Sequence, residues 1–508
     1  MQIRKQSLAS LLLIWWLVGC GVSTATVVPA PNAVGVVAPS FSCSFNQPSI
    51  SSTLPADIII SEQSVVNCFA WQNFIALNWD ADPNERGQPD QNQSASSFGE
   101  PNDLAPTVWQ TYKLNTDVFL PKAQTPAAWN ANDLIPSPCQ PQLAGRNLPD
   151  IKVLNMGSKF DDLIPDSLQA SGEILVDQQS NMVHYEKRMN RDEFEYITQT
   201  LLYNADVQAN VAETQGIMLP VGTSSYGSDG AIEIKAAWRI LDNQPSNITS
   251  RYKTTLAMLY DADTNTCVGP TTMGLVGLHI IRRTPNMQQL MWSTFEQIDN
   301  VPQSSLPDQQ AYSFYNPVCA LPDPCSPNAT PLPTATPPGV PTLEPVQVER
   351  VLPLPNDVVS LNQAVQTLIA QTNSDSVWQY YQLVNVRWPK ASLAGQPGAG
   401  ATAPINISQF QFTSSGPQNV SNTTMETYVQ QQDCLNCHVY ANIAASAKAG
   451  CNPKLASDFS FMFDNADTPN SFASNNCQSA KLTPSEQFSV AQLEQYHQTP
   501  LLCRNCHR

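Results

Sequence analysis

The chain has 508 residues and a net charge of −17, from 25 Lys and Arg against 42 Asp and Glu. An acidic balance of that size argues against nucleic acid or an anionic lipid surface as the main partner, because both draw basic patches. With 42 Pro and only 13% charged residues, the sequence reads as neutral-polar and loop-rich, and its length suits two to three domains.

Arg4 and Lys5 precede an apolar run from Leu8 to Val18. That run is shorter than the roughly 20 apolar residues a spanning helix needs. A charged start, a short apolar core and a small-residue cleavage site describe a secretory signal. The site, Leu17-Val18-Gly19-Cys20, resembles the lipobox of bacterial lipoproteins. This resemblance implies cleavage before Cys20, lipidation of Cys20, and anchoring to a membrane by acyl chains on its periplasmic or extracellular face. The alternative is an ordinary signal peptide that happens to contain a cysteine. Residues 1–19 are therefore the expected signal and 20–50 a Pro-rich tether.

A β-rich globular body is expected over residues 51–320. Ala231 to Leu241, Tyr252 to Asp261, Met273 to Arg283 and Gln289 to Ile298 are β-rich runs separated by turn-forming residues. One helix interrupts them: Asn190 can cap its start with Glu193 three residues on, and Phe194, Ile197, Thr198 and Leu201 share a face. Residues 321–346 are rich in Pro, Thr and Ala with almost no charge, as in a stiff linker or insertion. The body then continues over 347–420, with a short helix marked by Leu361, Val365 and Leu368 and a strand from Val377 to Trp388. The glycines from Gly395 to Gly400 lack the strand and helix context of a phosphate cradle and read as a plain turn. Asp80-x-Asp82-x-Asn84 and Asp261-x-Asp263-x-Asn265 lack the Gly and Glu of a calcium loop and read as Asx-rich turns.

The last stretch, 421–508, reads as mostly helical. Helices are expected around Thr424 to Gln432 and from Ala441 to Lys448, the latter stopped by Gly450. A third begins at Thr483-Pro484-Ser485-Glu486, a capping box with Pro in the first turn, and carries Val490, Leu493 and His497 on one face.

The chemistry lies in two C-x-x-C-H motifs, Cys434-Leu435-Asn436-Cys437-His438 and Cys503-Arg504-Asn505-Cys506-His507. In c-type haem attachment the two thiols add to the vinyl groups of one macrocycle and the adjacent His supplies an axial nitrogen. Structural zinc and a redox disulfide are the competing readings. Export favours haem, since uncapped thiols outside the cytoplasm oxidise. Two haem c groups are expected, one at minimum. The other cysteines, Cys20 aside, are Cys43, Cys68, Cys139, Cys267, Cys319, Cys325, Cys451 and Cys477, an even set suited to disulfides in an exported chain. Proximity in sequence pairs Cys451 with Cys477 and Cys319 with Cys325.

The chain has five histidines. His438 and His507 are the proximal candidates. His497, on the apolar face of its helix, is the favoured distal ligand, and which haem it serves is open. Met462 and Met425 are weaker thioether candidates, and His184 and His279 fall in the strand-rich body. Met/His ligation raises the potential, whereas an open sixth position permits peroxide or oxygen chemistry.

Several stretches stand out together: Cys68-Phe-Ala-Trp-Gln-Asn-Phe-Ile-Ala-Leu-Asn-Trp79, Trp109-Gln-Thr-Tyr-Lys113, Ala236-Ala-Trp-Arg239, Trp292-Ser-Thr-Phe-Glu-Gln-Ile-Asp-Asn-Val-Pro302 and Asp458-Phe-Ser-Phe461. They resemble a family of exported bacterial cytochrome-c-family proteins, over most of residues 65 to 465. In that family a stretch like Asn422-Thr-Thr-Met-Glu-Thr-Tyr428 leads into one C-x-x-C-H, which here is Cys434, Cys437 and His438. The resemblance implies haem there and no defined substrate. The proline-rich stretch and the segment with Cys503, Cys506 and His507 look like additions to it.

The expectation is thus an α+β protein, a β-rich body with a small, mostly helical haem-c segment, passing single electrons to a redox protein partner. The alternatives are a peroxidase-like haem oxidoreductase with an open iron site and a zinc-stabilised binding lipoprotein.

Overall fold

The computed structural model describes residues 43, 48–60, 62–144, 151–156, 173–222, 226–303, 312–319, 325–331, 344–389, 414–415, 420–445 and 455–469. The chain divides into a unit Met1–Ser40, outside those residues, and a unit Phe41–Arg508, to which everything below refers. The expected signal peptide, Cys20, the helix after Thr483, and His497, Cys503, Cys506 and His507 lie outside the described residues. So do Cys451 and Cys477, the glycine-rich turn and most of the Pro/Thr-rich linker.

The described helices are α1 (Gln63–Leu77), α2 (Asn115–Val118), α3 (Gln140–Leu143), α4 (Arg191–Gln199), α5 (Ala205–Thr214), α6 (Ser246–Thr249), α7 (Asn356–Thr372) and α8 (Cys434–His438). The strands are β1 (Lys113–Leu114), β2 (Ile151–Met156), β3 (His184–Met189), β4 (Ile232–Ile240), β5 (Thr254–Asp261), β6 (Thr266–Arg282), β7 (Met291–Gln297), β8 (Tyr381–Pro389) and β9 (Ser414–Ser415). They form one curled, mixed sheet in the order β1-β3-β4-β6-β7-β8-β9. The first half of the long β6 pairs with β5, and β2 runs parallel beside β5. The fold is α+β, as the sequence pattern requires.

Alternation along the central strands separates the two faces of this sheet. One face is apolar: Ile234, Ala236, Leu278, Ile280 and Phe295 are buried against α1 and α7. Phe74 of α1 stacks on Phe295 at 4.3 Å between ring centroids, and Trp71 Nε1 donates to Asn362 Oδ1 of α7 at 3.0 Å. Asn362 Nδ2 in turn donates to the Leu383 carbonyl of β8 at 2.8 Å, which ties both helices to the sheet. The other face carries the candidate site.

The four strands read from the sequence form, and β6 begins seven residues earlier than the apolar run that marks it. Asn190 caps α4 as expected, its Oδ1 accepting from the Glu193 amide at 3.3 Å. Other expectations are corrected. The body holds two more long helices, α1 and α5. The α1 sequence is buried on nearly every side, so it shows no amphipathic stripe to signal a helix. The run from Val377 is a tight 3₁₀ turn over Val377–Tyr380 before β8 starts.

Residues 424–432 form successive turns rather than a helix. Side chains there take the backbone's partners. Asn422 Oδ1 accepts from the Thr424 amide at 2.9 Å and from its hydroxyl at 2.7 Å, and Thr427 Oγ1 donates to the Thr423 carbonyl at 2.6 Å. Such local bonds compete with a helical ladder.

Three disulfides close the described body: Cys43–Cys68, Cys139–Cys267 and Cys319–Cys325, the last as proximity suggested. Disulfides are compatible with an exported protein. Among the described residues no helix is long and apolar enough to cross a membrane.

Candidate functional site

The polar face of the sheet is organised in cross-strand rows. Lys187, Lys235, His279 and Thr294 stand in register on β3, β4, β6 and β7. Beside them Glu233, Ile281 and Trp292 form the next row on β4, β6 and β7. All seven side chains floor a single cavity of about 380 Å³. Its roof is Val420, Glu426, Asp433, Cys434, Cys437, His438, Phe461 and Met462.

The roof is fastened to the sheet by the row on the opposite side of His279, made of Tyr185, Ala237, Gly277 and Glu296. Tyr185 OH donates to the Thr424 carbonyl at 2.7 Å, and Glu296 Oε1 accepts from the Thr423 amide at 2.5 Å. Asn422 Nδ2 donates to Thr294 Oγ1 at 3.0 Å and to the Phe295 carbonyl at 2.8 Å. Gly277 is what lets the chain lie so close: a Cβ there would run into the Thr424 hydroxyl and the Asn422 side chain.

This segment leads into α8, the motif itself. Asp433 caps the helix, its Oδ1 accepting from the Leu435 amide at 3.0 Å. The same carboxylate is gripped by Arg387 of β8, through Nε at 2.7 Å and Nη2 at 2.6 Å. Arg387 is wholly buried and stands in register with Trp292 on the cavity floor. Cap and bidentate pair together fix where Cys434 begins.

Cys434 and Cys437 are free thiols on the cavity wall, whereas the six body cysteines described here are bonded in pairs. Cys437 Sγ lies 3.3 Å from Gln432 Oε1. Burial first, then the carboxylates of Glu426 and Asp433, push both thiols above their ordinary range. They are protonated at neutral pH.

His438 is held from one side only. Its Nδ1 lies 2.7 Å from the Phe459 carbonyl, and its ring packs against Trp292 at 5.4 Å and Phe461 at 5.0 Å between centroids. Burial lowers its pKa to about 4, so the ring is neutral. A carbonyl only accepts; Nδ1 therefore carries the proton, and Nε2 keeps its lone pair.

Several buried side-chain polar atoms lack a partner among the described residues, the indole N–H of Trp292 on the cavity floor among them.

No family model, curated protein or solved structure matches this chain. The site's own geometry must therefore carry the reading. The structure brings together Cys434, Cys437, His438 and Met462, four of the residues singled out from sequence. Met425 is wholly buried in a separate cluster with Tyr185, Val276 and Phe314, and it does not line the cavity. His184 is buried on β3, its Nδ1 3.3 Å from the Asn155 carbonyl, also away from it. Glu426 is the member that sequence reasoning missed, and His279, weighed from sequence only as a histidine of the strand-rich body, joins it from the floor. Nothing local marks His279; only the pairing of β6 with β4 and β7 places it opposite the motif. The signal that could have found it is strand alternation, since His279 and Ile281 share a face of an otherwise apolar run.

Proposed function

We propose that this chain is an exported, lipid-anchored c-type cytochrome that passes single electrons, with haem c held by Cys434, Cys437 and His438. A second haem c at Cys503, Cys506 and His507 rests on the sequence motif. The observation that carries the reading is the cavity wall itself. Two free thiols and a neutral imidazole, tethered by Nδ1 with Nε2 available, face one cavity over the sheet. That is the donor set of covalent haem, with a backbone carbonyl orienting the His as ligating histidines are oriented.

The rest of the lining suits the same group. Trp292 and Phe461 pack on the imidazole and keep water from it. Lys187 and Lys235 on the same floor supply the charge to pair with a propionate carboxylate. When bound, the haem supplies a one-electron couple. The chain orients it, desolvates it and sets the basicity of its His438 ligand through the Phe459 carbonyl.

The competing readings have less support. Among the described residues no three His, Cys, Asp or Glu side chains are grouped to hold a metal ion, as zinc would need. A redox dithiol needs a thiol with a lowered pKa, and both are raised here.

The test is an optical redox titration of the protein matured with haem. One-electron steps with no binding of carbon monoxide or cyanide support electron transfer to a protein partner. Ligand binding together with peroxide turnover would favour a haem oxidoreductase instead. For the anchor, Cys20→Ser should move the protein from the membrane fraction to the soluble fraction.

A further inference from the structure

The cavity presents a second imidazole to the space that His438 faces. His279 stands on β6 in the floor row, between Lys235 of β4 and Thr294 of β7. Its Nε2 lies 3.1 Å from Glu426 Oε1, in the roof segment just ahead of the motif. The Asn422 N–H donates to the other Glu426 oxygen at 2.8 Å.

With Nε2 donating to the Glu426 oxygen, Nδ1 of His279 is the nitrogen left to bind a ligand. His438 shows the mirror arrangement, Nδ1 tied to the Phe459 carbonyl and Nε2 available. Ligating histidines are oriented in this way, one nitrogen fixed by a carboxylate or carbonyl and the other directed to the metal.

We propose that His279 is the second axial ligand of the iron held by His438, with Glu426 as its positioning residue. The assignment rests on the haem reading of Cys434 and Cys437 and deepens it. Met462 also lines the cavity, but it belongs to the strand of chain that braces His438 itself: the Phe459 carbonyl and the Phe461 ring, on either side of Ser460, both contact that imidazole. His279 reaches the cavity from the sheet, an element independent of that brace. Two nitrogen ligands close the sixth position, which suits electron transfer and gives a lower potential than Met/His ligation.

The full chain, matured with haem, is examined by electron paramagnetic resonance, redox titration and pyridine haemochrome, alongside His279→Ala, His279→Met and Glu426→Gln. The native protein should show a low-spin signal from this haem. His279→Ala should turn that signal high-spin, with added imidazole restoring it. His279→Met should raise the potential of one haem and introduce the sulfur-to-iron charge-transfer band. Glu426→Gln should keep the low-spin state and raise the potential, because the bound imidazole becomes less basic. The assignment is overturned if the native haem is high-spin. It is also overturned if His279→Ala or His279→Met keeps its haem count with the native signal unchanged. A native protein without covalent haem is a different failure, seen in the haemochrome alone, and it removes the underlying reading as well.

Discussion

The grip of Arg387 on Asp433 makes the sharpest energetic test of how the motif is held. Both Nε–Oδ1 and Nη2–Oδ2 bonds are short, at 2.7 and 2.6 Å, and the two side chains are 0% and 8% exposed. Removing one partner of a buried ion pair costs about 3–5 kcal/mol, because the other charge stays buried. Losing the cap on α8 adds about 1 kcal/mol. Asp433→Ala should therefore lower unfolding free energy by about 4–6 kcal/mol, read from the midpoint of a urea transition at constant m-value. Asp433→Asn keeps a cap acceptor and should cost about 3–5 kcal/mol. The double variant Arg387→Met/Asp433→Leu removes both charges and should recover most of the loss, since an apolar replacement of a buried pair is often neutral. Haem incorporation should fall in the single variants and stay low in the double, because all of them lose the pair that fixes Cys434. A loss below 1 kcal/mol for Asp433→Ala, or a double variant no more stable than the singles, would refute the reasoning.

Two other expectations follow from buried groups. Glu193 and Glu233 face each other in the interior, and burial raises both, Glu233 to about 7. A carboxyl raised above its unfolded value of 4.5 contributes stability that is complete below that value and lost as pH rises through 7. Glu233→Gln should thus gain on the native protein as pH goes from 5 to 8, measured as the difference in thermal midpoint; a constant difference contradicts the shift. The Cys139–Cys267 bridge closes a separation of 128 residues. Replacing both by Ser should cost about 2–5 kcal/mol in denaturant unfolding, and a change under 1 kcal/mol would remove its structural role.

Three of the strands that floor the site, β4, β6 and β7, were legible because each is a β-rich run bounded by turns, whereas β3 was not read, and the motif was legible because its spacing is rigid chemistry. The α4 cap was equally plain, since Asn190 and Glu193 sit three apart. What failed did so for identifiable reasons. Helix α1 is buried on nearly every side and carries no period to read. Thr424 to Gln432 has helical spacing, but Asn422 and its threonines bond locally and to the sheet. His279 could not be assigned from its neighbours, because its role depends on register across β4, β6 and β7, which sequence leaves open. Met425 and Met462 were indistinguishable as sequence candidates; burial in separate clusters divides them.

The central claim is that Cys434 and Cys437 carry iron porphyrin through covalent bonds. A pyridine haemochrome spectrum with an iron-to-chain ratio, taken on native protein and on Cys434→Ala/Cys437→Ala, tests it most directly. The account expects two covalent haems in the native chain and one fewer in the variant. A variant that keeps the native haem count, or a native chain with none, would contradict it.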